Sequence, residues 1–197
     1  MLTLNKDHYI GEGEIRYCYY HPDKDNLCIK IPRVQTSRDY TLKEIKYFKK
    51  LSKRNKDKYD YNFYSDFKGE ELTNFGLGQK FDLIRDYNSN EVSKTLEYYL
   101  LNSNKISDKK IELGLIKLKH MMIKHRVFTR DLRSRNICCR ITNDKNDIEL
   151  VIVDGIGHRD FFPLADYFGF FSKQKVNRTY LKWKFQSLHE QREFLKK

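Results

Sequence analysis

The stretch TRDLRSRN, Thr129 to Asn136, places one carboxylate among three guanidiniums and ends in a carboxamide. An Asp beside a hydroxyl can accept its proton, and an Asn nearby supplies an oxygen to a hard divalent cation. Arg133, two residues past Asp131, would meet the negative charge that develops on a transferring phosphoryl group. The plain alternative is a solvated basic loop in which Asp131 caps a turn. Three distant pieces bear on the choice. The GEG of Gly11, Glu12 and Gly13 lets backbone N–H groups approach phosphate oxygens, because glycine has no Cβ. Lys30 interrupts the apolar run LCIKI, where a charge is expected only if it faces a site and meets a counter-charge. Asp154 ends the apolar run IELVIV, a good station for a Mg²⁺-binding carboxylate, although it also suits the start of a turn.

The elements that must position these residues can be read from periodicity. HYIGEGEIRYCYYHP holds two β-prone runs around a glycine turn, and residues 27–31 give a third strand after the polar HPDKDN. Leu42, Ile45, Phe48 and Leu51 form an apolar stripe in a Lys-rich background, which predicts a helix. Residues 61–67 and 79–85 read as two more strands, with TNFGLG as the turn between them. After the polar DYNSN at 86–90, EVSKTLEYYLL reads as helical. A longer helix follows over about 108–125 with Ile111, Leu115, Leu118 and Met122 on one face. NICCRI and IELVIV then form a hairpin around TNDKND. The remainder reads as a loop, an apolar patch PLADYFGFF and a basic terminal helix containing Trp183.

In chain order the pieces are a glycine turn, a strand lysine, an RDLxxxN loop after a long helix, and an Asp closing a hairpin. That order resembles the phosphate-handling parts of a protein kinase. Singly, each piece is as well explained by turn chemistry; four in the right order on matching elements are not. The resemblance supplies a partner for Lys30: Glu44, on the following helix, would orient the lysine toward the nucleotide's phosphates. Thr41 to Glu44 also spells a capping box, which would fold Glu44 back onto its own helix. A helix starting near Ser37 or Asp39 would leave Glu44 free in the second turn.

GEGEIRYCYYHP followed by LCIKIPR, the RDLxxxN loop and VDGIG resembles, over most of the chain, the YrbL family of bacterial proteins, described as PhoP regulatory network proteins. The most specific block runs from Gly11 to Lys30, where Arg16, Cys18, Tyr19, His21 and Pro22 accompany the glycines. The resemblance implies an α+β, protein-kinase-like bilobal fold. It would comprise one domain over 1–197, with a five-stranded antiparallel N-lobe sheet to residue 86 and a reduced helical C-lobe over 87–197. It implies ATP and Mg²⁺ as cofactors. In this reading Asp131 is the base, with Lys30 and Arg133 also catalytic. Gly11, Glu12, Gly13, Lys30 and Glu44 bind nucleotide, and Asn136 and Asp154 bind the metal. Departures from an ordinary protein kinase are visible. Arg16 stands at the third glycine position, where it would stiffen the loop or bring a guanidinium near phosphate. Thr129 replaces a His, and DGI replaces DFG. With 43 residues after Asp154, the peptide-binding platform is expected to be missing or replaced.

Composition narrows the remaining classes. No run approaches the roughly 20 apolar residues of a membrane span, and MLTLNKDHYI lacks a signal-peptide core, so the expected location is cytoplasmic. Cysteines 18, 28, 138 and 139 show no metal-binding spacing and are expected as buried free thiols. The net charge of +12 is spread along the chain; its densest run, Lys46 to Lys58, is expected as a solvated helix face and loop. The expected function is transfer of the ATP γ-phosphate to a hydroxyl of a protein or small molecule. The alternatives are a nucleotide-binding pseudokinase acting as a regulator and a basic nucleic-acid-binding protein. The last ranks lowest, because nothing resembles a base-reading module.

Overall fold

The computed structural model describes residues 1–54, 62–102, 105–142, 147–157 and 164–196. Its first half is a sheet with one helix. Strands β1 (Tyr9–Glu12), β2 (Arg16–Tyr20) and β3 (Leu27–Pro32) form an antiparallel meander, and the chain then enters α1 (Arg38–Arg54). Strands β4 (Phe67–Thr73) and β5 (Gly76–Asp82) complete a five-stranded antiparallel sheet in the order β1-β2-β3-β5-β4. Lys30 therefore sits on the central strand, paired with Cys18 on β2 and Gln79 on β5.

The fifth strand is Gly76–Asp82 and not 79–85, so it begins inside the expected turn TNFGLG, and two further readings are corrected. The fourth strand is not 61–67 but Phe67–Thr73, FKGEELT, whose side chains alternate between half-buried and exposed along a sheet edge. Its polarity hides it from an apolar-periodicity search. The aromatic residues ahead of it, Phe63 and Tyr64, are buried in the main core; Tyr64 meets Ile152 through an isolated bridge, and residue 61 lies outside the described residues. In α1, Ile45, Phe48 and Leu51 are buried as the stripe requires, but Leu42 is half exposed and Glu44 is buried in its place. The helix begins at Arg38, so Glu44 falls in its second turn and is not spent on a capping box at Thr41.

The second half begins with α2, only Leu96–Leu101, because Thr95 caps it: the Thr95 hydroxyl accepts from Tyr98 N. Residues before the cap run extended, with bridges Arg85↔Val92 and Thr95↔Cys138. Helix α3 (Asp108–His125) matches its periodicity, and Ile111, Leu115, Leu118 and Met122 are all buried. Across it lies the hairpin of β6 (Ile137–Ile141) and β7 (Ile148–Ile152). Gly114 makes the approach possible, since a Cβ there would stand 3.1 Å from Leu150 Cγ. The tip of that hairpin at 143–146 lies outside the described residues.

The terminal region is three helices: α4 (Leu164–Tyr167), α5 (Gly169–Lys182) and α6 (Leu188–Leu195). Trp183 lies at the end of α5, not within a last helix. The fold is thus mixed α+β, with six α-helices among the described residues. None of them is long and apolar enough to cross a membrane.

Candidate functional site

A cleft of about 880 Å³ opens between the β1–β3 meander and the loop after α3, and the separated sequence pieces meet in it. Its inner wall is apolar, with Ile10, Cys18, Cys28, Leu83, Ile84, Cys138 and Val153. Charged residues also line it, among them Arg16, Lys30, Arg130, Asp131, Arg133, Arg135 and Asp154.

The Asp131 loop is held from several directions. Helix α3 ends at Arg126 in a left-handed conformation (φ 53°), which turns the chain back so that Val127 and Phe128 bury. Phe128 N donates to the Tyr47 hydroxyl of α1 (3.1 Å), and Leu132 is fully buried. The loop is then tied to residues 155–157: Arg130 N donates to Gly155 O and Gly157 N to Phe128 O, each at 2.8 Å. Thr129 is part of this tie. Its hydroxyl donates to Gly155 O (2.8 Å) and accepts from Asp131 N (3.1 Å). Gly155 has φ +76°, and a Cβ on it would stand 2.9 Å from Asp131 O, so only glycine fits between the two loops.

Two carboxylates and a carboxamide expected to work together all line the cleft. Asn136 closes a short 3₁₀ turn, Ser134–Asn136, and its side-chain N donates to Asp131 O (3.2 Å), which leaves the amide oxygen for other partners. Asp154 follows β7 and accepts from Gly155 N (2.7 Å). The Asp131 carboxylate is gripped by Arg133, which donates from Nε (2.8 and 2.9 Å) and Nη2 (2.5 Å). The same guanidinium reaches Glu14 on the glycine turn, with Nη1 at 2.7 Å and Nη2 at 3.2 Å; Arg135 joins it at 2.5 Å. Hydrogen bonds from Arg133 and then Arg135 hold the Glu14 carboxyl down at about 2.

The counter-charge of Glu44 is not Lys30. Arg16, buried at the start of β2, donates to both Glu44 oxygens (2.5 and 3.2 Å), to Gln79 Oε1 (3.1 Å) and to Asp154. Lys30 instead donates to the Val153 carbonyl, with its ammonium 4.6 Å from the centre of the Phe81 ring. The reason is geometric: Arg16 is longer and forked, so it spans α1 and the end of β7 at once, which a point-charge ammonium cannot do. Burial alone would raise the Asp154 carboxyl; Arg16, then Lys30, outweigh it and hold the group well below the usual carboxylate range.

Of the expected residues, Lys30, Asp131, Arg133, Asn136 and Asp154 meet in the cleft, together with Glu12 and Gly13. Gly11 lies on β1 beside them, paired with Cys18, and Glu44 stands behind Arg16. Glu14, Arg135 and Trp183 were not singled out by the sequence. Glu14 had a readable signal, an acid immediately after the glycine turn, but its partners lie about 120 residues away. Lys50 and Arg54, two charges of the basic run, are taken up by the buried Asp166 of α4 (2.6 and 3.2 Å); residues 55–58 of that run lie outside the described residues. All four cysteines are free; Cys28, Cys138 and Cys139 are buried and Cys18 is half-buried.

The chain is similar to YrbL of Escherichia coli (strain K12) and to YrbL of Shigella flexneri, each 29% identical over 170 residues, covering 85% of this chain and 79% of the relative. The family model described as PhoP regulatory network protein YrbL matches residues 2–186, which include the glycine turn, the Asp131 loop, Asp154 and Trp183. With nearly its whole length matched, the chain belongs to the PhoP regulatory network protein YrbL family.

Proposed function

We propose that the chain is a phosphotransferase of protein-kinase-like, bilobal fold, a single domain that moves the γ-phosphate of ATP to a hydroxyl acceptor in a Mg²⁺-dependent reaction. The observation that carries the reading is the convergence of Lys30, Asp131, Asn136 and Asp154 on one cleft beneath a glycine turn, from four separate parts of the sequence. A further support is that the turn's glycines are not demanded by the protein's own packing. A Cβ on Gly11 would meet nothing within 4 Å, and one on Gly13 only Arg16 O at 3.9 Å, so the space they keep is open to a ligand.

The chemistry follows from the positions. The apolar wall around Cys18, Cys28, Leu83, Ile84 and Cys138 suits a flat base, with the phosphates toward Lys30 and Arg16. Asp131 accepts the acceptor's hydroxyl proton as that oxygen bonds to the γ-phosphorus, and the bond to the bridging oxygen breaks with its electron pair leaving on ADP. Thr129 and Gly155 fix the Asp131 backbone so that the carboxylate faces the cleft. Arg133 balances charge beside it. The donors fit a small hard cation, since Asn136 keeps its amide oxygen and Asp154 its second carboxylate oxygen, and Mg²⁺ takes few protein ligands when phosphates supply the rest. Bound there, Mg²⁺ would neutralise phosphate charge.

A second reading, a nucleotide-binding regulator with little turnover, is favoured by one observation. Both working acids are occupied, Asp131 by Arg133 and Asp154 by Arg16. Radiolabelled ATP turnover and autophosphorylation decide between them. Asp131→Asn is expected to lower turnover about 10²–10⁴-fold, the usual contribution of a positioned base. Equal rates in the variant and the wild type would leave only the regulator.

A further inference from the structure

Two ion pairs that share Glu14 cross the mouth of the cleft. Glu14 reaches across from the glycine turn to Arg133 and Arg135, two guanidiniums on the short turn that ends in Asn136. Arg133 meets both Glu14 oxygens and Arg135 adds a third donor, the forked arrangement with which arginines receive a free carboxylate or phosphate. The Glu14 side chain is 62% exposed, so its hold on the arginines is screened and readily exchanged for another anion. It follows Gly13, on a turn whose glycines leave open space where a Cβ would stand.

We propose that Arg133 and Arg135 form an acceptor-side anion site, closed at rest by Glu14, that receives the phosphate or carboxylate of a small hydroxylated acceptor. The location separates this site from that of the nucleotide's phosphates. Lys30 and Arg16 lie deep, 7% and 4% exposed, whereas the Arg135 side chain is 40% exposed at the rim. Trp183, with Lys182 beside it, borders the same opening, and the Arg133 guanidinium lies 5.6 Å from the Trp183 ring centre. The site also sets where the acceptor's hydroxyl falls. Arg133 holds Asp131 and the incoming anion with one guanidinium, so an acceptor whose hydroxyl lies a few bonds from its anionic group presents that hydroxyl to Asp131. The use of the bound anion rests on the phosphotransferase reading; its binding does not.

Trp183 is the single tryptophan of the chain, so its fluorescence reports on Arg133 directly. The experiment is a titration of the full chain with inorganic phosphate, without nucleotide, at ionic strength held constant with KCl. The wild type is expected to give a saturable change. Glu14→Gln is expected to bind more tightly, because an internal competitor lowers apparent affinity by the fraction of molecules it closes. A latch closed about nine-tenths of the time would give about tenfold. Arg135→Gln is expected to bind at least about tenfold more weakly, the loss of one charge-assisted contact. Lys30→Met is expected to keep a saturable change, because Trp183 reads the rim beside Arg133 and Lys30 lies deep. Circular dichroism and urea unfolding confirm that each variant is folded. The proposal fails if Glu14→Gln binds no tighter than wild type, or if Arg135→Gln binds as well. It also fails if Lys30→Met alone abolishes binding, since the phosphate then occupies the nucleotide's place. Phosphate binding with this pattern in a chain that turns over no ATP would keep the site and sink the phosphotransferase reading. Turnover without the pattern would do the reverse.

Discussion

Replacing Arg16 by Met tests the electrostatic centre of the fold. Arg16 is 4% exposed and Glu44 2%, and the guanidinium bridges Glu44, Gln79 and Asp154. Met keeps most of the side-chain volume and removes the charge, leaving Glu44 buried without its partner. Breaking a buried pair by deleting one member costs about 3–5 kcal/mol, because the remaining charge keeps its desolvation penalty and loses its attraction. Much of that loss belongs to the pair. In a double-mutant cycle, Arg16→Met with Glu44→Gln should therefore show a coupling of about 2 kcal/mol or more. Lys30→Met with Glu44→Gln should show a small one, about 0.5 kcal/mol or less, since Lys30 donates to the Val153 carbonyl and not to Glu44. The assay is urea unfolding followed by Trp183 fluorescence, with far-UV circular dichroism as a second probe to establish two-state behaviour. Coupling between Lys30 and Glu44 as large as that of Arg16, or an Arg16→Met cost below about 1 kcal/mol, would refute the assignment of Arg16 as the cation that ties α1 to the cleft.

Gly155→Ala is expected to cost about 1–3 kcal/mol and to lower ATP turnover, because φ +76° disfavours alanine and its Cβ would press on Asp131 O. Unfolding and turnover measured together check it, and an unperturbed variant would contradict the close approach. Iodoacetamide should label Cys18 first, and ATP should protect it. A hydrogen bond from Cys28 lowers the Cys18 thiol, and Lys30 and Arg16 add to this, whereas burial pushes Cys138 up to about 12. Peptide mapping that finds Cys138 or Cys139 labelled first would reverse this order. For Glu14 the folded carboxyl titrates near 2 and the unfolded one near its ordinary 4.5, so its contribution is complete above about 4.5 and fades as pH falls toward 2. Wild type should therefore lose more stability between pH 5 and 3 than Glu14→Gln does; parallel losses in urea midpoints would show that Glu14 makes no folded-state ion pair.

How far the sequence carried the fold depended on whether a residue's role was local. Helix α3 and the β6–β7 hairpin were legible because burial on one face imposes a period, and the same holds for the meander that carries Lys30. Strand β4 was not, because a polar edge strand has no apolar alternation to read. Leu42 and Glu44 exchanged expected environments for a related reason. Periodicity ranks residues by hydropathy, while a buried guanidinium made the Glu44 position worth burying. The candidate site divides the same way. Asp131, Asn136, Lys30 and Asp154 were legible from type and order, but the pairing among charges was not. The Arg133–Asp131 pair is local, two residues apart, but the partners of Arg16 lie 28 and 138 residues away, and nothing in local spacing carries that information.

Those pairings change what the net charge of +12 means. Three acids of the cleft, Glu14, Asp131 and Asp154, and Glu44 behind it are each answered by a guanidinium, and Arg16 and Arg133 each answer two. Arg16 and Arg133 are therefore already engaged by carboxylates, while Lys30 donates to the Val153 carbonyl. An incoming polyanion must compete with carboxylates for the same arginines, and each acid it displaces needs a new cation. For Asp154 that cation is the one a phosphotransferase would bring with its nucleotide. Metal and nucleotide should for this reason bind with strong mutual dependence: nucleotide alone leaves Asp154 competing for Arg16, and Mg²⁺ alone finds Asp154 already paired. Calorimetric titration of ADP with and without Mg²⁺ measures that linkage. Equal affinities would mean that the Arg16–Asp154 contact survives nucleotide binding, and that Asp154 positions Arg16 in place of holding a metal.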